Sequence, residues 1–219
     1  MRFAKRFLTT TAALTVILLA SASCEQLGLT SEDSNDTELL VLLGLALGPS
    51  CSGTCKTFLT SSAYTRPTSL TAADEICASD SNKPSGGGAY KALLAHSTQR
   101  VPCTTTNCGG GVSENVSWIL KPNTKYVQSD GTTEVFTTNS SGIFPFGTAT
   151  NGFASVPNGF LTGLNSGWVV EHTCNNWTDT TSGSNFRFGS ANATDQQLIN
   201  FGFTGCNDNS AINLVCIEQ

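Results

Sequence analysis

Nine cysteines in 219 residues constrain this chain more than any other feature. They are Cys24, Cys51, Cys55, Cys77, Cys103, Cys108, Cys174, Cys206 and Cys216. Cysteines at this density stay paired only in an oxidising compartment, so a disulfide reading depends on export. The N-terminus supplies an export signal. Arg2, Lys5 and Arg6 make a basic start, residues 7–20 are mostly apolar, and the small residues Ser21, Ala22 and Ser23 stand directly before Cys24. The apolar stretch is too short and wrongly flanked for a membrane span, and residues 1–23 read as a cleaved leader. Two processing routes fit. Small residues before a cysteine allow lipoprotein cleavage with Cys24 acylated, although Ser21 stands where that pattern prefers Leu; Ala20-Ser21-Ala22 also fits ordinary secretion. Parity favours the first route, because lipidating Cys24 leaves an even set of cysteines and ordinary secretion strands one thiol.

Charge narrows the partners. Three of the eleven basic residues lie in the leader and all sixteen acidic residues follow it, so the formal −5 becomes −8 for the mature part. That field repels DNA, RNA and heparin. Only 12% of residues are charged, so the polar surface must come from Ser, Thr, Asn and Gly, which suits a β-rich, loop-rich exported protein.

The organisation is a tether followed by one globular region, expected at 24–55 and 56–219, with no repeats. Residues 31–38 are acidic and polar, and residues 39–47 form an apolar run too short to span a bilayer. Cys51 and Cys55 have a spacing seen in metal sites, but no matching His or Cys pair follows, and a local disulfide is the better reading. Strands are expected at 56–64, 116–120, around Tyr126 and Val127, at 135–138, 168–174 and 212–218. A short helix is expected at 70–77: Leu70, Ala73 and Ile76/Cys77 share a face, and Thr71 has Asp74 three residues on, as an N-cap would. Residues 90–95 read as strand or short helix. Residues 100–111 are a loop carrying Cys103 and Cys108. Residues 139–167 and 175–190 read as loops, the first punctuated by Phe144, Phe146, Phe153 and Phe160. Loops of this kind are often functional.

The order of several pieces resembles a known family. Residues 57–64 precede Ala73-Asp74-Glu75-Ile76-Cys77. Leu120 to Tyr126 is followed by Asp130-Gly131 and Phe136 to Asn139. Cys174-Asn175-Asn176-Trp177, Cys206 and the terminal Leu214 to Glu218 come last. The set resembles the leptospiral endostatin-like outer-surface lipoproteins, over roughly residues 56–218. The resemblance implies an α+β, C-type lectin-like (endostatin-like) domain. It would have mixed and antiparallel β-structure with one or two short helices, disulfide-braced and loop-rich. It implies nested bridges, Cys77 to Cys216 and Cys174 to Cys206, leaving Cys51 with Cys55 and Cys103 with Cys108.

Calcium-dependent sugar binding of the lectin kind needs hard oxygen ligands. The Trp-Asn-Asp triplet that such a lectin carries ahead of this cysteine is absent from residues 199–205, before Cys206, and Lys121-Pro122-Asn123 carries Lys where an acid is needed. Asn207-Asp208-Asn209 reads as a polar turn before it reads as a weak cation site. The zinc and heparin sites of endostatin need a histidine-rich N-terminus and many arginines, and the mature part has only Arg66, Arg100 and Arg187. His96 has no orienting acid nearby, and His172 neighbours a cysteine committed to a bridge, so neither suggests catalysis. Trp118, Trp168 and Trp177 read as core before they read as contact points. No enzyme activity, cofactor or metal is expected. The expected function is a surface lipoprotein of the outer membrane, anchored only by its N-terminal lipid. Its partners would be host extracellular-matrix or plasma proteins such as laminin, fibronectin, complement regulators or plasminogen. A structural envelope lipoprotein and a carbohydrate-binding lectin are the alternatives.

Overall fold

Short runs of aromatic and β-branched residues, separated by turn residues, form two sheets in the computed structural model, which describes residues 50–86, 88–208 and 212–219. The leader, Cys24, the acidic stretch, the apolar run 39–47 and Asn209 lie outside the described residues. The described residues form eight strands: β1 (Thr54–Leu59), β2 (Tyr90–Ala92), β3 (Lys125–Val127), β4 (Glu134–Thr137), β5 (Gly159–Leu161), β6 (Asn185–Ser190), β7 (Gly202–Gly205) and β8 (Val215–Glu218). The larger sheet has the order β2-β8-β1-β3-β4, and the smaller β5-β6-β7. All pairs are antiparallel except β1 with β3. The architecture is mixed α and β, mostly strand, with one α-helix among the described residues and four disulfides.

The helix, α1 (Leu70–Ser79), buries Leu70, Ala73 and Cys77, the three- and four-residue spacing of one face. Its N-cap is Ser69, not Thr71: the Ser69 hydroxyl accepts the Ala72 amide at 3.1 Å. Asp74 is not free to complete a capping box with Thr71. Its carboxylate takes two bonds from the Arg100 guanidinium, at 3.0 and 2.6 Å, and one from the Ala92 amide at 2.9 Å. The helix is thereby clasped to β2. Cys77 is joined to Cys216 across to β8, the central neighbour of β1, and the bridge closes 139 residues of separation. Asp80, just past the helix, accepts from the Ser61 amide and the Tyr64 hydroxyl, so the C-terminal end of α1 is held to the chain that follows β1.

The chain enters this frame before the expected boundary. Cys51 is bridged to Cys55, Cys55 is fully buried in β1, and the Cys51 amide donates to the Gln219 carbonyl at 2.8 Å. Glu218 fastens the same corner, accepting from the amides of Lys56 and Gly88 at 2.8 and 3.1 Å.

Four expected element assignments are corrected. Residues 116–120 form no strand: Val116 makes a single bridge to Val101, and Ser117 has φ of 44°, which breaks an extended run. Ile119 and Leu120 still enter the core, without a ladder. Residues 168–174 form isolated bridges, because Trp168, His172 and Cys174 all have positive φ. The segment 175–190 is only partly loop, since β6 begins at Asn185. The long 139–167 stretch contains β5.

Candidate functional site

The aromatic residues that made 139–167 a candidate contact loop are mostly internal. Phe144, Phe153 and Phe160 are buried. Phe144 stacks on Phe136 at 4.0 Å between centroids and meets Trp168 edge-on at 4.9 Å. Trp168 and Trp177 are fully buried, and the Trp177 indole donates to the Ala95 carbonyl at 2.8 Å. Trp118, half-buried, donates to the Gly142 carbonyl at 3.0 Å. The tryptophans are core, and the long loop contributes mass to the core more than it displays a surface.

Two phenylalanines that sequence reasoning passed over are outside. Phe201 and Phe203 are 55% and 56% exposed, the most exposed large apolar side chains among the described residues. Phe203 lies on β7, opposite Arg187 of β6. The Arg187 guanidinium sits over the Phe203 ring at 5.2 Å, and the His172 ring lies 5.3 Å away. Arg187 is also paired with Glu171 and donates to Asn200 at 3.0 Å, so the face of Phe203 turned toward β6 is fixed. Phe201 packs at 5.9 Å against Phe188, the next inward-pointing residue of β6 after Phe186. Two clefts, of about 400 and 300 Å³, flank this group. Phe188 and Gly159 line both, Phe201 walls the larger one and Phe203 the smaller one. The smaller is mostly apolar, floored by Phe186 and Ile212.

Bridges and backbone bonds make this surface rigid. Cys174 is joined to Cys206, one residue past β7. Arg66 donates to the carbonyls of Asp179 and Cys206 at 2.7 and 3.0 Å, holding the two chain segments that carry the bridge. The signal that could have found the site is Phe201-Gly202-Phe203: two aromatics at period two immediately before a cysteine.

The remaining polar groups build turns. Lys121 donates to the Cys51 carbonyl at 2.8 Å, and Asn123 occupies the left-handed region, so Lys121-Pro122-Asn123 is a structural turn. His96 accepts amides of Thr98 and Gln99 at 3.2 Å; burial, then the charge of Arg100, lowers its pKa. Glu114 accepts amides and hydroxyls of Thr104 and Thr105 and the Gly110 amide, bracing the loop closed by the Cys103–Cys108 bridge. These bonds, led by the Thr105 hydroxyl, hold its carboxyl down at about 2. Asp130 is likewise held at about 2, first by the Thr133 hydroxyl, in the turn between β3 and β4. The Thr204 hydroxyl donates to Asp208 at 3.1 Å. Among the described residues no group of three His, Cys, Asp or Glu side chains is arranged to hold a metal.

A family model described as "Protein of unknown function (DUF1554)" matches residues 61–194, more than half of the chain. The chain belongs to this family. The DUF1554 match takes in α1, Cys77, Cys103, Cys108 and Cys174, and five strands from β2 to β6. It stops short of β7, so Phe201, Phe203, Cys206 and Cys216 follow the matched span. No curated protein matches the chain.

Proposed function

We propose that this DUF1554 chain is an exported lipoprotein of the outer membrane, anchored through Cys24 and exposed at the cell surface, whose globular region binds host proteins. One observation carries the reading. Phe201 and Phe203 stand more than half exposed on a disulfide-braced frame whose other large aromatics are inside or half-buried. Exposed aromatic anchors on a rigid support, with polar residues around them, are what protein contact surfaces use. The leader, the parity of the cysteines and the four bridges support export to an oxidising compartment. The resemblance to leptospiral endostatin-like lipoproteins, with a C-type lectin-like fold, supplies the candidate partners: laminin, fibronectin, complement regulators and plasminogen. In this reading the chain is a binding module, not an enzyme, and binding needs no calcium.

The test is surface plasmon resonance of the oxidised mature chain against those four classes of protein, with calcium and with chelator. Chelator-independent binding to at least one, together with loss of the protein from intact cells on protease treatment, supports the reading. Silence on the whole panel, or resistance of the protein on intact cells, overturns it in favour of an envelope-structural role. Binding abolished by chelator turns it into a lectin.

A further inference from the structure

We propose that the open edge of β7 takes up an extended, lysine- or arginine-bearing segment of a protein partner as a fourth strand of the small sheet, with an apolar side chain seated in the cleft walled by Phe203. The proposal rests on the binding-module reading and gives that module its mode of recognition.

The first argument is the edge itself. In the order β5-β6-β7, the outer side of β5 is covered: Leu161 donates to the Asn213 carbonyl and Asn213 to the Gly159 carbonyl, each at 3.2 Å. β7 pairs with β6 and with no other strand among the described residues. An open edge presents a row of backbone donors and acceptors, and soluble proteins blunt it with charge, proline or a bulge. The large sheet does so at both sides. Edge strand β2 carries exposed Lys91, and edge strand β4 carries Glu134 and pairs with β3 through a register shift at Tyr126/Val127. β7 reads Gly202-Phe203-Thr204-Gly205, with no charge, no proline and an unbroken register to β6. It has none of the protection that the rest of the fold uses.

The second argument is the shape beside the edge. An added strand turns alternate side chains to one face of the sheet. The smaller, mostly apolar cleft is lined by Phe203 and Thr204 of β7 itself, the natural receptacle for one such side chain.

The third argument is charge. Residues 139–208 carry Glu171, Asp179, Asp195 and Asp208 against Arg187, which is already paired with Glu171, and Arg66, which reaches in from outside the segment to the Asp179 and Cys206 carbonyls, so acids still outnumber bases. The lobe therefore attracts a cationic segment and repels a polyanion. Phe201, and the side of Phe203 not occupied by Arg187, add ring faces for an arriving cation.

The experiment uses the oxidised mature chain and fluorescent nonamers in anisotropy titrations: alternating lysine and valine, alternating glutamate and valine, and the lysine peptide with proline at every second valine. The lysine–valine peptide should bind. The glutamate and proline versions should bind at least tenfold more weakly. Hydrogen exchange of residues 202–205 should slow on binding. Phe203→Lys, which places a charge on the edge, should weaken binding at least tenfold, while mass mapping shows all four bridges intact. Equal binding of all three peptides, or unchanged exchange at 202–205, overturns the proposal. So does a wild type that instead self-associates in sedimentation and becomes monomeric in Phe203→Lys, because the edge then pairs with a second copy. Host proteins that bind wild type and Phe203→Lys equally remove the β7 mode and leave the binding-module reading standing. A lysine peptide that binds while the host panel stays silent separates the two in the other direction.

Discussion

The five-stranded sheet and the three-stranded sheet treat their aromatics and their edges in opposite ways. On the larger sheet Tyr126 and Phe136 are sealed under Phe144 and Phe153, and the helix is fixed over the sheet by a buried ion pair and the Cys77–Cys216 bridge. On the smaller sheet Phe201 and Phe203 face outward, and the strand that carries Phe203 has an unprotected edge. The arrangement leaves apolar area in water that burial would have stabilised, by about 25 cal/mol for each Å². Among the described residues every other phenylalanine is at least partly buried, and folding gives no reason to leave these two out. The larger sheet is the frame, and the smaller is the part arranged for contact.

The largest expected effect tests that division through the bridges. In the chain-entropy model, removing Cys77–Cys216, with a separation of 139 residues, costs about 5 kcal/mol. Removing Cys174–Cys206, with a separation of 32, costs about 3.7 kcal/mol. Double Cys→Ala variants of each pair, unfolded in urea, should therefore rank with the Cys77/Cys216 variant the less stable. Loss of peptide and host-protein binding should follow the other pair, at temperatures where both variants remain folded. The reverse ranking in stability would make the small sheet the structural centre and break the comparison.

A smaller effect sharpens it through the two arginine pairs. Arg100 is 6% exposed at its side chain and pairs with Asp74 beneath the helix, and it also donates to the Ala92 carbonyl at 3.0 Å. Removing Arg100 leaves the half-buried Asp74 carboxylate with the Ala92 amide alone and the Ala92 carbonyl without its donor, so Arg100→Ala should cost about 2 kcal/mol. Arg187 and Glu171 are 18% and 37% exposed. Solvent screens that pair, and Arg187→Ala should cost under about 1 kcal/mol while freeing the Phe203 ring. Chemical denaturation of both variants gives the ratio directly. Equal costs would mean that the small sheet depends on its ion pair as the frame depends on its own.

The same contrast governs how much could be read from the sequence. Features that depend on local chemistry were legible. Cysteine parity pointed to bridges, and four are present. The spacing of Leu70, Ala73 and Cys77 located the helix, although its cap is Ser69, two residues before Thr71, where the Ser69 hydroxyl accepts the Ala72 amide. Strands near Tyr126, at Val135 and at the C-terminus followed from β-branched and aromatic runs. Residues 168–174 have the composition of a strand, but left-handed residues at Trp168, His172 and Cys174 are set by packing and by the bridge, which no propensity records. β6 was hidden because Arg187 and the flanking Asn185, Gly189 and Ser190 dilute its alternation. The candidate site was the least legible part. Phe201 and Phe203 look like core residues by type, and their exposure goes with β7 being an edge strand with no further strand beside it among the described residues, a fact of topology that no local pattern records.

The smallest expected effect concerns acid, and it asks whether the two sheets loosen together. Glu114, half-exposed in the loop of the Cys103–Cys108 bridge, and Asp130, exposed in the β3–β4 turn, are both held at about 2, against ordinary values of 4.5 and 3.8. A carboxyl whose folded pKa lies below its unfolded value stabilises the fold fully above the unfolded value, and that contribution fades as pH falls toward the folded one. For Glu114 the window runs from about pH 4.5 down to about pH 2. Within it the amides of Thr104, Thr105 and Gly110, which donate to the carboxylate, should shift together in NMR spectra, with a midpoint near pH 2. Glu114→Gln should remove that transition and leave the Cys103–Cys108 bridge in place. β7 takes no bond from either carboxylate, so amides of residues 202–205 should not follow the same curve. If they do, acid release of the Glu114 cap is transmitted across the core, and the frame and the contact sheet are one cooperative unit rather than two differently built regions.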